Sequence, residues 1–179
     1  IVDGDRFEEN NLNRQLGCTE EALGRPKAQV LAERVARVNS AVQVSAHHAW
    51  LTLENAPRLL GGAQVGVDAL DNLPARYLLQ EAAALLGAPM VHGAIAGFTG
   101  QVMTIWPGEA GLRALYGPQP PSERGVETSL GNPAATPMMI SAWEIQEVVK
   151  VITGVGRPLR QRLLLLDAEN GEVTELQLG

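Results

Sequence analysis

Val65-Gly66-Val67-Asp68-Ala69, then Leu73 to Leu86, then Met90-Val91-His92-Gly93-Ala94, is the stretch that decides the fold. The first run is short and apolar, a buried strand. Leu73 to Leu86 has helical composition, and Gly87-Ala88-Pro89 breaks it before the second apolar run begins. Upstream, Gly24 closes one segment and Pro26 suits the first turn of the next, where a missing N–H costs nothing. Ala28, Leu31, Val35 and Val38 then give that helix one apolar face, while Glu33, Arg34 and Arg37 stay in water. Val42, Val44 and Ala46 alternate with Gln43, Ser45 and His47, the two-residue period of a half-buried strand. Helix, strand, strand, helix, strand is the order of an α/β sheet layered by helices, a nucleotide-type fold.

Downstream of Gly97 the pattern changes. Gln101 to Trp106 reads as a strand, and Pro107 to Pro137 is rich in Gly, Pro and Ser, a long crossing loop of a length that is uncommon unless functional. Ile145, Val148, Val149 and Ile152 mark an amphipathic helix stopped by Gly154 and Gly156. Leu163 to Leu166 and Val173 to Leu178 close the chain as two strands around Glu169-Asn170-Gly171, a hairpin signal. No internal repeat is visible.

The 179 residues suit one domain, and 45% hydrophobic against 19% charged residues can close a core. A formal net charge of −6 has the wrong sign for a surface whose main partner is nucleic acid. The single cysteine, Cys18, builds neither a disulfide framework nor a Cys-rich zinc site, and points to the cytosol. The longest apolar stretch, Ala82 to Val91, contains Gly87 and Pro89 and falls short of the roughly 18 residues that a membrane span needs. The chain opens on Ile1-Val2-Asp3, the tail of a buried strand, so it is expected to start inside a domain.

Several residues could carry chemistry. Asp3 ends that first strand, where an acidic residue holds ribose hydroxyls about 20 residues beyond a Gly-rich phosphate turn; that turn would lie upstream of Ile1. A turn-capping Asp fits the same position. Asn10-Asn11-Leu12-Asn13-Arg14-Gln15 gathers four amides and a guanidinium, suited to polar edges and phosphate, or to a polar surface loop. Lys27 stands at a helix start, where an anion is favoured. Asp68 and Asp71 bracket a strand end with Arg76 following, where Mg²⁺ is held in nucleotide sites; an Asp cap of the helix from Leu73 competes. His47, His48 and His92 lack metal-site spacing, and Cys18 lacks a basic neighbour, so these read as structural. Trp50, Trp106 and Trp143 are too dispersed for a nucleic-acid stacking platform.

Taken in order, these elements resemble the ThiF/MoeB/HesA family, bacterial relatives of ubiquitin-activating enzymes. Asp3-Gly4-Asp5 with Asn11-Leu12-Asn13-Arg14-Gln15 is similar to the family's DxD…SNLxRQ motif, with Asn10 in place of Ser. Gly24 to Lys27 resembles its GxxK helix start, and Val38-Asn39 its IN(P) segment, with Ser40 for Pro. Asp68 to Asn72 with Arg76 resembles DxxDN…R, and Glu147 to Lys150 the late ExxK helix.

The resemblance spans the chain. It implies a doubly wound, Rossmann-like α/β domain with a mixed sheet over residues 1–179, its Gly-rich N-terminal part missing and its crossover loop at 107–137. It also implies adenylation of a carboxylate by ATP and Mg²⁺, commonly the C-terminal Gly of a small ubiquitin-like sulfur-carrier protein ending in Gly-Gly. Asp3 would hold the ribose; Asn11, Arg14 and Lys27 would face the phosphates; Asp71 would hold Mg²⁺; Asp5, Gln15 and Asn72 would lie beside them. Arg14, Lys27 and Asp71 are the residues expected to drive catalysis. Gly111 and Ala114 stand where relatives carry a zinc CxxC, so no zinc is expected, and Pro118 to Pro137 contains no cysteine for thioester chemistry. A homodimer is expected. Two other functions stay open: a non-catalytic relative that binds a ubiquitin-like partner, and an NAD-dependent oxidoreductase, with which the Asp3 signal is shared.

Overall fold

The computed structural model describes residues 1–120 and 131–178, and the chain divides into two compact units, residues 1–59 and 60–179.

In the first unit, Asp5 to Phe7 pairs with Gly24 to Lys27: Phe7 N–H donates to Arg25 O at 3.0 Å, Gly24 N–H to Phe7 O at 2.9 Å and Lys27 N–H to Asp5 O at 3.0 Å. Between these segments lie two short 3₁₀ turns, Glu9–Asn11 and Glu20–Ala22. Helix α1, Lys27–Val38, begins directly after Pro26, whose φ of −59° suits the entry and whose carbonyl accepts from Val30 N–H at 3.2 Å. Phe7, Cys18, Ala22 and Val30 form the core, with Leu31 against it. The apolar stripe expected on α1 is therefore only partly buried: Ala28 and Val30 are inside, whereas Val38, at the far end, is 79% exposed. Val42 to His47 does not form the expected strand. It meets Ile1 to Asp3 in a single parallel bridge, Val2 to His47, made by His47 N–H to Ile1 O and Asp3 N–H to His47 O, with the Ile1 ammonium also donating to Ser45 O. Ile1 is exposed rather than buried. The short helix α2, Ala56–Leu60, follows.

The second unit is a five-stranded mixed sheet in sequential order: β1 Gly66–Asp68, β2 Met90–Ala96, β3 Thr99–Ile105, β4 Arg162–Asp167 and β5 Glu172–Gln177. β1 and β2 are parallel, joined by helix α3, Leu73–Leu85; the remaining pairs are antiparallel. This is the expected mixed α/β sheet. β2 turns into β3 through Gly97-Phe98, where Gly97 takes the positive φ of 59° that the tight hairpin requires. The β4–β5 hairpin turns at Ala168 to Gly171, as Asn-Gly foretold.

Helices cover both faces. Residues on β2 alternate, so Val91, Gly93 and Ile95 share one face with Val102 and Gly100 of β3 and with Leu164 and Leu166 of β4. Helix α5, Ala135–Thr153, lies on that face, its Ile140 and Val148 joining the core of Val91, Val102, Leu159, Leu164 and Leu166. On the opposite face α3 approaches Gly66 through Ala83 and Leu79, and helix α4, Leu112–Tyr116, packs beside Gln80 and Ile105. The stretch from 107 to 137 thus contains α4 and the first turn of α5; residues 121–130 of the expected crossover loop lie outside the described residues. No helix among the described residues is long and apolar enough to cross a membrane.

The packing of α5 departs from its apolar periodicity. Ile145, Val149 and Ile152 are 46 to 60% exposed, while Glu144 and Glu147 face inward. The reason is donor supply. Glu147 is fully buried and its Oε2 accepts from Thr104 Oγ1 at 2.6 Å and Leu159 N–H at 2.7 Å, while Oε1 meets Lys150 Nζ at 2.5 Å. This carboxylate bolts α5 to β3 and to the approach to β4, which accounts structurally for the Glu-x-x-Lys spacing. Glu147→Ala should cost about 3 kcal/mol of unfolding free energy in denaturant titration, since it orphans two buried donors and one ammonium. A loss under about 1 kcal/mol would remove this role.

Candidate active site

Asp3, Asp5, Asn11, Arg14, Gln15 and Lys27 belong to the first unit, and Asp71 and Asn72 to the second. Within the first unit the antiparallel pairing of Asp5 to Phe7 with Gly24 to Lys27 brings Asp5 to the start of α1. There Lys27 Nζ lies 3.1 Å from Asp5 Oδ2, the Lys27 side chain being 13% exposed. The first turn of α1 carries no side-chain cap, so its N–H groups add their partial charge to the ammonium. Asp3 Oδ1 accepts from Asp5 N–H at 2.7 Å, the turn-capping geometry, which leaves Oδ2 for another donor. Gly4 between them is pressed against Trp50. A Cβ at Gly4 would stand 2.5 Å from both atoms of the indole fusion bond, so the backbone there is stacked on the ring face. Dispersal in sequence concealed this contact.

The amide-rich stretch splits into two roles. Asn11 is buried and locks a reciprocal cap: its Oδ1 accepts from Glu8 N–H at 3.1 Å and its Nδ2 donates to Asn10 Oδ1 at 2.6 Å. That turn presents Arg14. Its Nη1 donates to Asn10 O at 2.7 Å and to Asn13 Oδ1 at 2.9 Å. Both acceptors are neutral, and Arg14 pairs with no carboxylate among the described residues, unlike Arg25, Arg76, Arg113, Arg160 and Arg162. Arg14 and Gln15 are half-buried. Cys18 is an ordinary core residue here.

In the second unit, Asn72 rather than an aspartate caps α3, accepting from Ala75 N–H at 2.9 Å. Asp71 just before it is exposed, and its Oδ1 accepts from Asn72 Nδ2 at 3.1 Å. It is a hard oxygen donor beyond the end of β1, with no cation paired to it among the described residues, which suits a Mg²⁺ that takes one or two carboxylates and otherwise phosphate and water. The described residues contain no cluster of three or more His, Cys, Asp or Glu side chains poised around a metal.

Beneath this loop lies a buried polar layer in which Asp68 and Arg76, singled out in the sequence as site candidates, meet His92 and Glu144, which were not. Asp68, Arg76, His92 and Glu144 are all at most 7% exposed. The sheet register that sets His92 opposite Asp68 is the only signal that could have found it, and that register is tertiary. Glu144 sits on Gly93, where a Cβ would come within 2.5 Å of its carboxyl carbon, and its Oε1 has no hydrogen-bond partner. Burial first, and then the Asp68 carboxylate, push the Glu144 carboxyl up to about 8 against the opposing charge of Arg76.

A mixed five-stranded sheet with helices on both faces and Asp71 and Asn72 beyond its parallel strand β1 is a Rossmann-like α/β fold. The sequence profile of the ThiF family matches residues 1–179, and the chain belongs to that family. It is 41% identical over 176 residues to a sulfur carrier protein adenylyltransferase of Thermus thermophilus, covering 94% of this chain and 65% of that protein. It is 35% identical over 170 residues to the SAMP-activating enzyme E1 of Haloferax volcanii, covering 94% and 63%. Among solved structures, Escherichia coli MccB with ATP superimposes with a TM-score of 0.80 at 18% identity over 99% of this chain and 56% of that one, a likeness of fold. The chain spans a little under two thirds of these curated relatives.

Because the folded state prefers the neutral Glu144, folding takes up a proton between the ordinary glutamate range and about pH 8. Stability therefore falls as pH rises through that window; the cost is absent below it and complete above it. Glu144→Gln should raise the melting temperature relative to the parent at about pH 8.5, with the advantage shrinking by about 1 kcal/mol per pH unit towards about pH 5. An advantage independent of pH would show that the carboxyl does not titrate this way.

Proposed function

We propose that this chain is the core of an ATP-dependent adenylyltransferase that activates a carboxylate as its acyl adenylate, the C-terminal glycine of a small ubiquitin-like sulfur-carrier protein being the favoured substrate. The observation that carries the reading is Arg14: a half-buried guanidinium held in place by neutral oxygens alone, so that its whole charge is offered to an anion. The activities for which the Thermus and Haloferax relatives are named support the same reading.

The chemistry asks little of the protein as a base. A carboxylate oxygen of the substrate attacks the α-phosphorus of ATP, the bond from that phosphorus to the bridging oxygen breaks, and pyrophosphate leaves with the electron pair. The nucleophile is already ionised, so the barrier lies in bringing two anions together in line. Arg14 offers a planar fork to phosphate oxygens. Lys27, at the uncapped start of α1, adds a point charge and exchanges its contact with Asp5 for phosphate. The free oxygen of Asp3 accepts a ribose hydroxyl, while Asn11 acts by shaping the turn that presents Arg14. Gln15 lies beside them. Asp71, with Asn72 alongside, would hold Mg²⁺, which when bound offsets phosphate charge. These charges act mainly in the transition state, where a misplaced or missing donor typically costs 10²- to 10³-fold.

On this reading residues 1–179 act as one adenylation domain, as a homodimer, without an enzyme thioester and without zinc; the lone Cys18 suits the cytosol. Arg14→Ala and Asp71→Ala should each reduce ATP–pyrophosphate exchange by at least about a hundredfold while circular dichroism and melting temperature stay near the parent values. Exchange retained in both variants would dismiss the assignment. ATP with Mg²⁺ should raise the melting temperature where NAD does not; the reverse would favour hydride transfer.

A further inference from the structure

The buried layer beneath Asp71 is ordered as a chain. His92, fully buried on β2, sets Nδ1 2.6 Å from Asp68 Oδ2 and Nε2 3.1 Å from Gln101 Nε2 on β3. An amide nitrogen can only donate, so Nε2 of the imidazole accepts and the ring proton resides on Nδ1, donated to Asp68. The same Gln101 nitrogen donates its other hydrogen to the Tyr116 hydroxyl at the end of α4, and the Tyr116 ring stands edge-on to the imidazole at 6.4 Å and 88°. Ring orientation and tautomer of His92 are therefore both set by groups outside β2.

The opposite end of the chain reaches the loop that bears Asp71. Asp68 Oδ1 accepts from Leu70 N–H at 3.0 Å, and Arg76 Nη2 donates to Leu70 O at 2.6 Å. Arg76 Nε also lies 3.5 Å from Asp68 Oδ2, the oxygen that His92 holds. Both peptide groups of Leu70 are thus fastened, and the second of them is the peptide that begins Asp71. Asp71 itself is exposed and among the described residues its side chain meets only its neighbour Asn72, so its placement depends on the Leu70 peptide.

We propose that His92 is a positioning residue for the Asp71 carboxylate: through Asp68 it fixes the Leu70 peptide, and through Gln101 it takes its own orientation from Tyr116. The role rests on the reading of Asp71 as the cation-holding carboxylate, but the bracing itself does not. Conserving the imidazole's donor matters more than its basicity. The groups facing the ring are the carboxylate of Asp68 from β1, the Gln101 amide from β3 and Tyr116 from α4, with Arg76 of α3 reaching the same Asp68 oxygen.

The full-length protein carries the test, with His92→Leu, which removes the donor and keeps the bulk, and His92→Asn, whose amide nitrogen can stand where Nδ1 stood. In the parent, ¹⁵N NMR of the imidazole should show a protonated Nδ1 and a bare Nε2. His92→Leu should speed amide hydrogen exchange at Leu70 and Asp71 and weaken Mn²⁺ binding to the ATP complex about ten- to a hundredfold, a loss of the size that removing a supporting partner of a metal ligand produces. The Mn²⁺ dependence of pyrophosphate exchange should shift by the same factor with a much smaller change in the rate at saturating metal. His92→Asn should recover most of both. If His92→Leu does not fold, Gln101→Leu takes its place, with the same loss of protection at Leu70 expected. A ring protonated on Nε2, or a folded His92→Leu with unchanged Leu70 exchange and Mn²⁺ affinity, overturns the proposal. A parent protein that binds Mn²⁺ and loses it in His92→Leu, yet exchanges no pyrophosphate, upholds the bracing and rejects the adenylation reading instead.

Discussion

Everything at the mouth of the second unit depends on one buried carboxylate. Asp68 ends β1 in a place with no water to solvate it, so its two oxygens must be satisfied by the protein. Hydrogen bonds from the imidazole of His92 and the N–H of Leu70 satisfy them, and the guanidinium of Arg76 adds its charge at 3.5 Å without a hydrogen bond. The arrangement joins strand, loop and helix at the point where a parallel sheet opens to a ligand. A residue that reads in sequence as one member of an acidic motif is thus the internal anchor, and Asp71, three residues on, is the one facing outward.

The same logic governs α5. Its inward face is set by carboxylates as well as by Ile140 and Val148, because β3 and the approach to β4 offer donors that aliphatic side chains cannot use. Glu147 is fully supplied with donors, whereas Glu144 has one oxygen without a partner, and burial raises the Glu144 acid equilibrium. The close approach of Glu144 to Gly93 leaves no room for any side chain on that strand position. Polar burial therefore holds the helix in register and leaves a hydrophobic stripe of Ile145, Val149 and Ile152 in solvent.

Much of the fold was legible. Helix α1 after Pro26, helix α3 between Asn72 and Gly87, the strands on either side of α3 and the final hairpin all follow from period, caps and turn residues, whose physics is local. The strand expected at Val42 to His47 failed because a ladder needs a partner along its length, and alternation carries no information about the partner. The candidate site was legible as a list of residues but not as a division of labour. Asn11 and Arg14 look alike as phosphate ligands in the motif, yet one is consumed by the turn and the other displayed by it.

Sequence alone determined helices α1, α3 and α5, the hairpin, the mixed α/β class and the identity of Arg14, Lys27 and Asp71 as charges worth watching, since propensity and residue chemistry act over a few neighbouring positions. Only tertiary structure decided which charges are neutralised and which are offered. Asp5 meets Lys27 across 22 positions and Asp68 meets His92 across 24. Desolvation and pairing depend on what lies within a few ångströms in space, and no spacing along the chain records that.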